Sequence, residues 1–227
     1  MLKAIVFDFD GVLVDSEPLH YRAFLEVLAP AGITFDYAQY LAQLVGFDDR
    51  DAMRHMLERH GKPGDDGEVD RLCAAKQEVF DRQLATGVAA LPGAVELVDA
   101  AAGELPLAVA SGATRRDVLQ ILDALGRRDR FEAIVTADDV ARSKPDPQSY
   151  ADAVAQLSRR HGELAIEPGA CLAIEDTTTG LASARDAGLR TLAVTNTERY
   201  EALDAAAERV IGSLADINLA TLQAWYA

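Results

Sequence analysis

The chain has 227 residues, 49% of them hydrophobic and 26% charged, which is ordinary globular composition and enough for one large core with a smaller second domain. A net charge of -15 excludes a general nucleic-acid binder or a partner of anionic membranes, because phosphate groups would be repelled over most of the surface. An anionic small molecule must therefore be held locally.

The first apolar run, Ala4 to Phe7, reads as a buried strand that ends on Asp8. Asp8 and Asp10 alternate around Phe9, and Gly11 is free to take a tight or left-handed turn. Two neighbouring carboxylates repel unless a positive group lies between them, so the pair predicts a divalent cation. Four apolar residues are too few for a secretory signal, and no stretch reaches transmembrane length, so a cytoplasmic location is expected.

From about Asp15 to Gly87 the pattern is helical almost throughout, far too long for one crossover. Ser16 or Asp15 is a natural N-cap, and Pro18 suits a first turn that doubles as a hinge. Apolar stripes follow at Tyr21, Phe24, Leu25 and Leu28, at Met53, Met56, Leu57 and His60, and at Val69, Leu72, Cys73, Val79 and Phe80. The segment Gly61 to Gly67 is expected to be a loop. Cys73 and Cys171 lack metal-ligand spacing and read as buried thiols.

Leu91-Pro92-Gly93 marks a restart, after which strands are expected at Leu105–Ala110, Ala133–Thr136, Cys171–Ile174, Thr191–Val194 and Arg209–Ile211. Helix-period segments lie between most of them. Strand-helix alternation implies an α/β, Rossmann-like doubly wound parallel sheet. Ligands of such sheets bind beyond the carboxyl ends of the strands, and four polar sites fall there: Asp8/Asp10, Ser111-Gly112, Lys144 and Glu175-Asp176. They comprise a nucleophilic carboxylate, a hydroxyl beside helix-N-terminal amides, a fixed ammonium and acidic metal ligands, the set that phosphoryl transfer requires. Each site alone has a plain alternative as a turn, cap or solvated loop residue; the constellation favours chemistry.

These sites, in this order, resemble the four motifs of the haloacid dehalogenase superfamily of aspartate-nucleophile hydrolases. The likeness spans the full length, with Thr177 standing where the family commonly has serine. It implies a discontinuous core (1–15 and 88–227) and a type-1 helical cap (16–87) that closes over the substrate and reopens. It also implies that Asp8 attacks phosphorus while Asp10 protonates the leaving oxygen and then activates water. Ser111, Gly112 and Lys144 would bind the phosphate. The cofactor would be Mg2+, held by the Asp8 carboxylate, the Asp10 backbone carbonyl and Asp176, with Glu175 at the same site or acting through water.

Three cap residues are candidates for substrate contact. His20 falls in the first insert turn, facing the entrance, and is either solvated or hydrogen-bonded to Asp10. Lys76 lies on the third stripe, either snorkelling or reaching the substrate phosphate. Arg50 matters for a finer choice within the family. The segment through His20 resembles the subgroup of β-phosphoglucomutase and sugar-phosphate phosphatases, whose mutases carry a cap lysine and arginine. Here Val45 and Asp49 stand at those positions, with Arg50 one residue away. Two lost charges favour a phosphatase for a small phosphorylated sugar or organic acid over a mutase. A phosphoacceptor receiver domain uses similar groups, but its acceptor follows the third strand of a shorter, uncapped domain. No nucleic-acid or membrane partner is expected, and the chain is expected to be a monomer or small homo-oligomer.

Overall fold

The computed structural model describes residues 1–44, Phe47 and residues 49–227. Val45 therefore lies outside the described residues. The chain divides into two compact units, one formed by Met1–Asp15 with Val88–Ala227 and the other by Ser16–Gly87.

In chain order the elements are β1 (Ala4–Phe7), α1 (Glu17–Leu28), α2 (Tyr37–Gln43), α3 (Asp49–Arg59), α4 (Asp66–Leu84), α5 (Ala94–Ala101) and β2 (Leu107–Ala110). They continue as α6 (Arg115–Ala124), β3 (Ala133–Val135), α7 (Gln148–Arg160), β4 (Cys171–Glu175), α8 (Thr178–Asp186), β5 (Arg190–Val194), α9 (Tyr200–Asp204), β6 (Arg209–Ile211) and α10 (Leu219–Trp225).

The discontinuous unit is built on a six-stranded sheet of order β3-β2-β1-β4-β5-β6. Every pairing is parallel. Strands β1, β2 and β4 are buried at every residue, which is why β1, β2 and the first four residues of β4 are continuous apolar runs without alternation. Ile5 lies opposite Leu107 on one side and Leu172 on the other, so β1 is central. After β3 the chain crosses to β4 on the other side of β1, and the point of reversal lies between β1 and β4. Polar residues ending those two strands thus flank the place where such sheets bind ligands. On one face Tyr150, Ala153, Val154 and Leu157 of α7 pack against Val6, Ala108, Val135 and Ala173 of the strands.

The strand expectations hold with small shifts. β2 begins two residues later than expected, and Glu175, expected just past β4, is its last residue. Cys171 is buried, whereas Cys73 is only half-buried.

The contiguous unit is helical, as its periodicity implies. Phe24 and Leu28 of α1, Met53, Met56 and Leu57 of α3 and Val69 and Leu72 of α4 share one core with Ile33. Two details differ from the sequence reading. Asp65 accepts a hydrogen bond from Glu68 N (2.9 Å), and this cap starts α4 at Asp66 and draws Asp66 and Gly67 out of the expected loop. His60 does not extend the α3 stripe: it lies beyond the helix end, exposed, with Nδ1 2.9 Å from the Met56 carbonyl. Among the described residues no helix is long and apolar enough to cross a membrane.

Candidate active site

β1 ends at Phe7, and Asp8, still buried, keeps its amide in the sheet by donating to the Ile174 carbonyl (2.9 Å). The chain then turns sharply. Leu13 N donates to Phe9 O (2.9 Å), Gly11 N donates to Val14 O (2.7 Å), and Asp10 bridges to Val14. Gly11 has φ of +78°, and a Cβ there would stand 1.7 Å from Asp176 Oδ2 and 2.9 Å from Thr197 Oγ1. Glycine is required both by backbone conformation and by the closeness of the acidic residue after β4.

Lys144 supplies the positive charge. Its ammonium donates to Asp8 Oδ1 (2.6 Å) and to Glu175 Oε1 (2.7 Å), bridging the ends of β1 and β4. Glu175 is completely hydrogen-bonded. Its Oε1 also accepts from the Tyr150 hydroxyl (3.0 Å), and its Oε2 accepts from Asp176 N (3.0 Å), Thr177 N (3.2 Å) and Thr177 Oγ1 (3.1 Å). Thr177 also caps α8, accepting from Gly180 N (3.1 Å), so threonine performs the helix-start role that serine would.

The charges respond to this arrangement in opposite directions. Burial pushes the Asp8 carboxyl up to about 6, offset in part by Lys144 and reinforced by Glu175. Burial also opposes the charge of Glu175, but Lys144, the Asp176 amide and Tyr150 outweigh it and hold this carboxyl below its usual range. Lys144 is raised despite burial, because Asp8 and Glu175 both stabilise its charge. Asp176 is pushed up to about 8, by burial first and then by the negative charge of Asp8, with a hydrogen bond from Thr197 acting the other way.

The same carboxylates fit a metal. Asp8, Glu175 and Asp176 each place an oxygen within 4.8 Å of the others. Asp176 Oδ1 is buried and has no hydrogen-bond partner among the described residues. One ammonium against three carboxylates leaves the cluster net negative, and an all-oxygen donor set of this kind suits a hard divalent cation. The expected consequence is stabilisation by a hard divalent cation, tested with Mg2+: at a hundredfold excess over its dissociation constant, about 2.7 kcal/mol. For a chain of this size that is a rise in Tm of roughly 5–10 °C. Differential scanning calorimetry with and without EDTA checks it, and Asp176→Asn should remove the shift.

The remaining strand-end site is at β2. Ser111 is buried, and its Oγ accepts from Ala113 N (2.9 Å) in the turn that leads into α6. Thr114 caps α6 by accepting from Asp117 N (3.2 Å). Gly112 is exposed, with open space where a side chain would stand.

The structure thus brings Asp8, Lys144, Glu175 and Asp176 into one cluster, with Asp10 in the turn that follows Asp8. Three neighbours escaped the sequence reading as site residues. Tyr150 was visible only as part of an apolar helix stripe. Thr197 and Asn196 lie in the turn after β5: Thr197 bonds Asp176, and Asn196 Nδ2 donates to the Gly11 carbonyl (2.7 Å), fixing the glycine turn from 185 residues away.

Within the helical unit Lys76 does not snorkel. It is 1% exposed, and its ammonium donates to both Asp49 oxygens (2.8 and 2.9 Å) and to His20 Nδ1 (2.8 Å), with the Phe24 and Phe80 rings 5.1 and 5.4 Å away. His20 is stacked on Phe80 (4.6 Å) rather than solvated. Burial and the adjacent ammonium push its imidazole down to about 3, so it is neutral at physiological pH. Arg50 pairs with Asp70 and, at 3.4 Å, with Asp66 on the surface of the same unit.

Known proteins share this arrangement of sequence and fold. The chain is 37% identical over 196 residues to protein CbbY of Rhodobacter capsulatus, covering 83% of each chain. It is 29% identical over 201 residues to hexitol phosphatase B of Escherichia coli K12, covering 85% of this chain and 83% of that one. The crystal structure of a CbbY mutant from Rhodobacter sphaeroides in complex with xylulose-(1,5)bisphosphate superposes with a TM-score of 0.81 at 30% identity, covering 98% of this chain and 99% of that chain. A model of the haloacid dehalogenase-like hydrolases matches residues 2–188, a span that runs from β1 past the end of α8 and takes in Asp8, Asp10, Ser111, Lys144, Glu175 and Asp176. The chain belongs to the haloacid dehalogenase-like hydrolase family.

Proposed function

We propose that this hydrolase is a Mg2+-dependent phosphatase of a small phosphorylated metabolite, a sugar phosphate or phospho-organic acid, working through an aspartyl-phosphate on Asp8. The observation that carries the reading is the Lys144 ammonium held between Asp8 and Glu175 at the reversal point of the sheet. A fixed cation touching a carboxylate is placed to follow negative charge from that carboxylate onto a phosphoryl group. The names of two relatives support the substrate class: one is a hexitol phosphatase, and another was crystallised with a sugar bisphosphate.

In this reading an Asp8 oxygen attacks phosphorus, and the bond to the substrate oxygen breaks. Asp10 gives its proton to that oxygen, then takes one from the water that cleaves the aspartyl-phosphate, regenerating Asp8 and releasing phosphate. Lys144, the Ser111 hydroxyl and backbone amides from Gly112 onward hold the equatorial oxygens. When bound by Asp8, Asp176 and the Asp10 carbonyl, with Glu175 beside them, Mg2+ supplies further positive charge against those oxygens.

The helical unit favours hydrolysis over mutase chemistry. Lys76 is neutralised by Asp49, and Arg50 by Asp66 and Asp70, so neither is a free cation for holding a second phosphate. Phosphate release from a panel of sugar phosphates, sugar bisphosphates and phospho-organic acids, with Mg2+ or EDTA, tests the proposal. A flat panel would overturn it, as would conversion of β-glucose 1-phosphate to glucose 6-phosphate without phosphate release. Asp10→Asn should slow the first half-reaction, transfer to Asp8 read as single-turnover release of the leaving group, by ~100-fold or more for alkyl phosphates and much less for acetyl phosphate, whose leaving group needs little protonation, while the water step slows for both. Equal losses in the first half-reaction would remove Asp10 from the acid role.

A further inference from the structure

Tyr150 belongs to the core by position and to the active site by its contacts. It is a fully buried residue of α7, packed among the apolar side chains beneath β1, β2 and β4. A phenylalanine would fill that space. The hydroxyl instead donates to Glu175 Oε1 (3.0 Å), the same oxygen that receives Lys144 (2.7 Å). The phenol oxygen is 3.5 Å from the Lys144 Nζ, and the ring centroid is 4.9 Å from it. The phenol is held in its neutral form, raised well above its usual value by burial and by the charge of Glu175, so it remains a donor.

We infer that Tyr150 is a positioning residue for Lys144, dividing the ammonium between Glu175 and the reacting carboxylate. Sharing Oε1 draws electron density from the Glu175–Lys144 bond and leaves more of the lysine charge facing Asp8. The ring closes the third side of the ammonium with an aromatic face, which holds a cation without accepting its proton and keeps water away. Without the hydroxyl, Glu175 would grip Lys144 more tightly and draw it from Asp8 at the moment phosphoryl charge develops. The inference rests on the phosphatase reading for its kinetic consequence, but the geometry of the lysine can be measured separately.

Tyr150→Phe keeps the ring and removes the bond to Glu175 together with the long contact from the Lys144 ammonium (3.5 Å). With p-nitrophenyl phosphate, kcat is expected to fall by about tenfold with KM within about twofold, the signature of an interaction that matters in the transition state. Inhibition by orthovanadate should weaken by a similar factor, and Tm should move by no more than a few degrees. Independently, the chain has only four lysines, so the Lys144 ammonium can be resolved by 15N NMR and assigned by its loss in Lys144→Met. Its resonance should shift in Tyr150→Phe. An unchanged resonance, or unchanged kcat and vanadate inhibition with only a lower Tm, would reduce Tyr150 to packing and overturn the inference. A shifted resonance in a protein that hydrolyses no phosphate ester would keep the positioning role and overturn the phosphatase reading instead.

Discussion

Asp8→Asn should leave a folded protein that turns over no phosphate ester. The amide has nearly the size of the carboxylate but no nucleophilic oxygen anion, and loss of a covalent nucleophile in hydrolases costs on the order of 10^4- to 10^6-fold in kcat. Stability should not suffer in proportion. Burial pushes Asp8 up to about 6, so its charge is unfavourable in the folded state, and removing it relieves repulsion from Glu175 and Asp176. The expected result is therefore an unchanged or slightly higher Tm with activity below detection against p-nitrophenyl phosphate and acetyl phosphate alike. Retained turnover of either substrate would remove Asp8 from the nucleophile role, and a collapse in Tm would make loss of activity uninformative.

The second large effect is that of Lys144→Met, where stability and catalysis should both fall. The ammonium bridges two buried carboxylates, and breaking a buried ion pair by removing one partner costs about 3–5 kcal/mol because the remaining charge is uncompensated. Catalysis should drop by roughly 10^2- to 10^3-fold, the scale for one electrostatic stabiliser. The pH dependence identifies the cause. In the wild type Glu175 is held below its usual range, so it contributes stability above that range and loses it as pH falls through its lowered pKa. In the variant the carboxylates lose that support and take up protons sooner, so the deficit should be largest near about pH 7.5 and shrink by about pH 4.5. Urea unfolding at both values measures it, and an equal deficit at both would indicate lost packing rather than lost charge.

The sheet was legible because β1, β2 and β4 are buried on both faces and therefore written as apolar runs, with a polar residue just after β1 and β2 and at the last position of β4. Spacing to a strand end sufficed for Asp8, Ser111, Glu175 and Asp176. Tyr150 was not legible, because its burial in α7 and its hydrogen bond to Glu175 impose the same apolar helix period. Thr197 and Asn196 have no period at all; they matter through contacts with Asp176 and Gly11 that close long loops. The buried state of Lys76 escaped for a related reason. Asp49, His20 and Lys76 lie on three helices, and only their packing shows that the lysine is neutralised within its own unit. Sequence pattern records which residues face inward, but the polar partners awaiting them there depend on tertiary contacts.

The central place of β1 has a bearing on how the protein is made. β1 is synthesised before both of its sheet neighbours, β2 and β4, whose partner residues extend to Ile174. The helical unit between Asp15 and Val88 is contiguous and can fold as soon as it emerges, but β1 must wait for both neighbours. Closing these separations before any sheet contact forms is entropically costly, so the discontinuous unit should fold late and slowly after the helical one. During that interval β1 is an unpaired apolar strand just ahead of Asp8, and nascent chains stalled before residue 171 should show a protease-resistant helical unit attached to a protease-sensitive β1 segment.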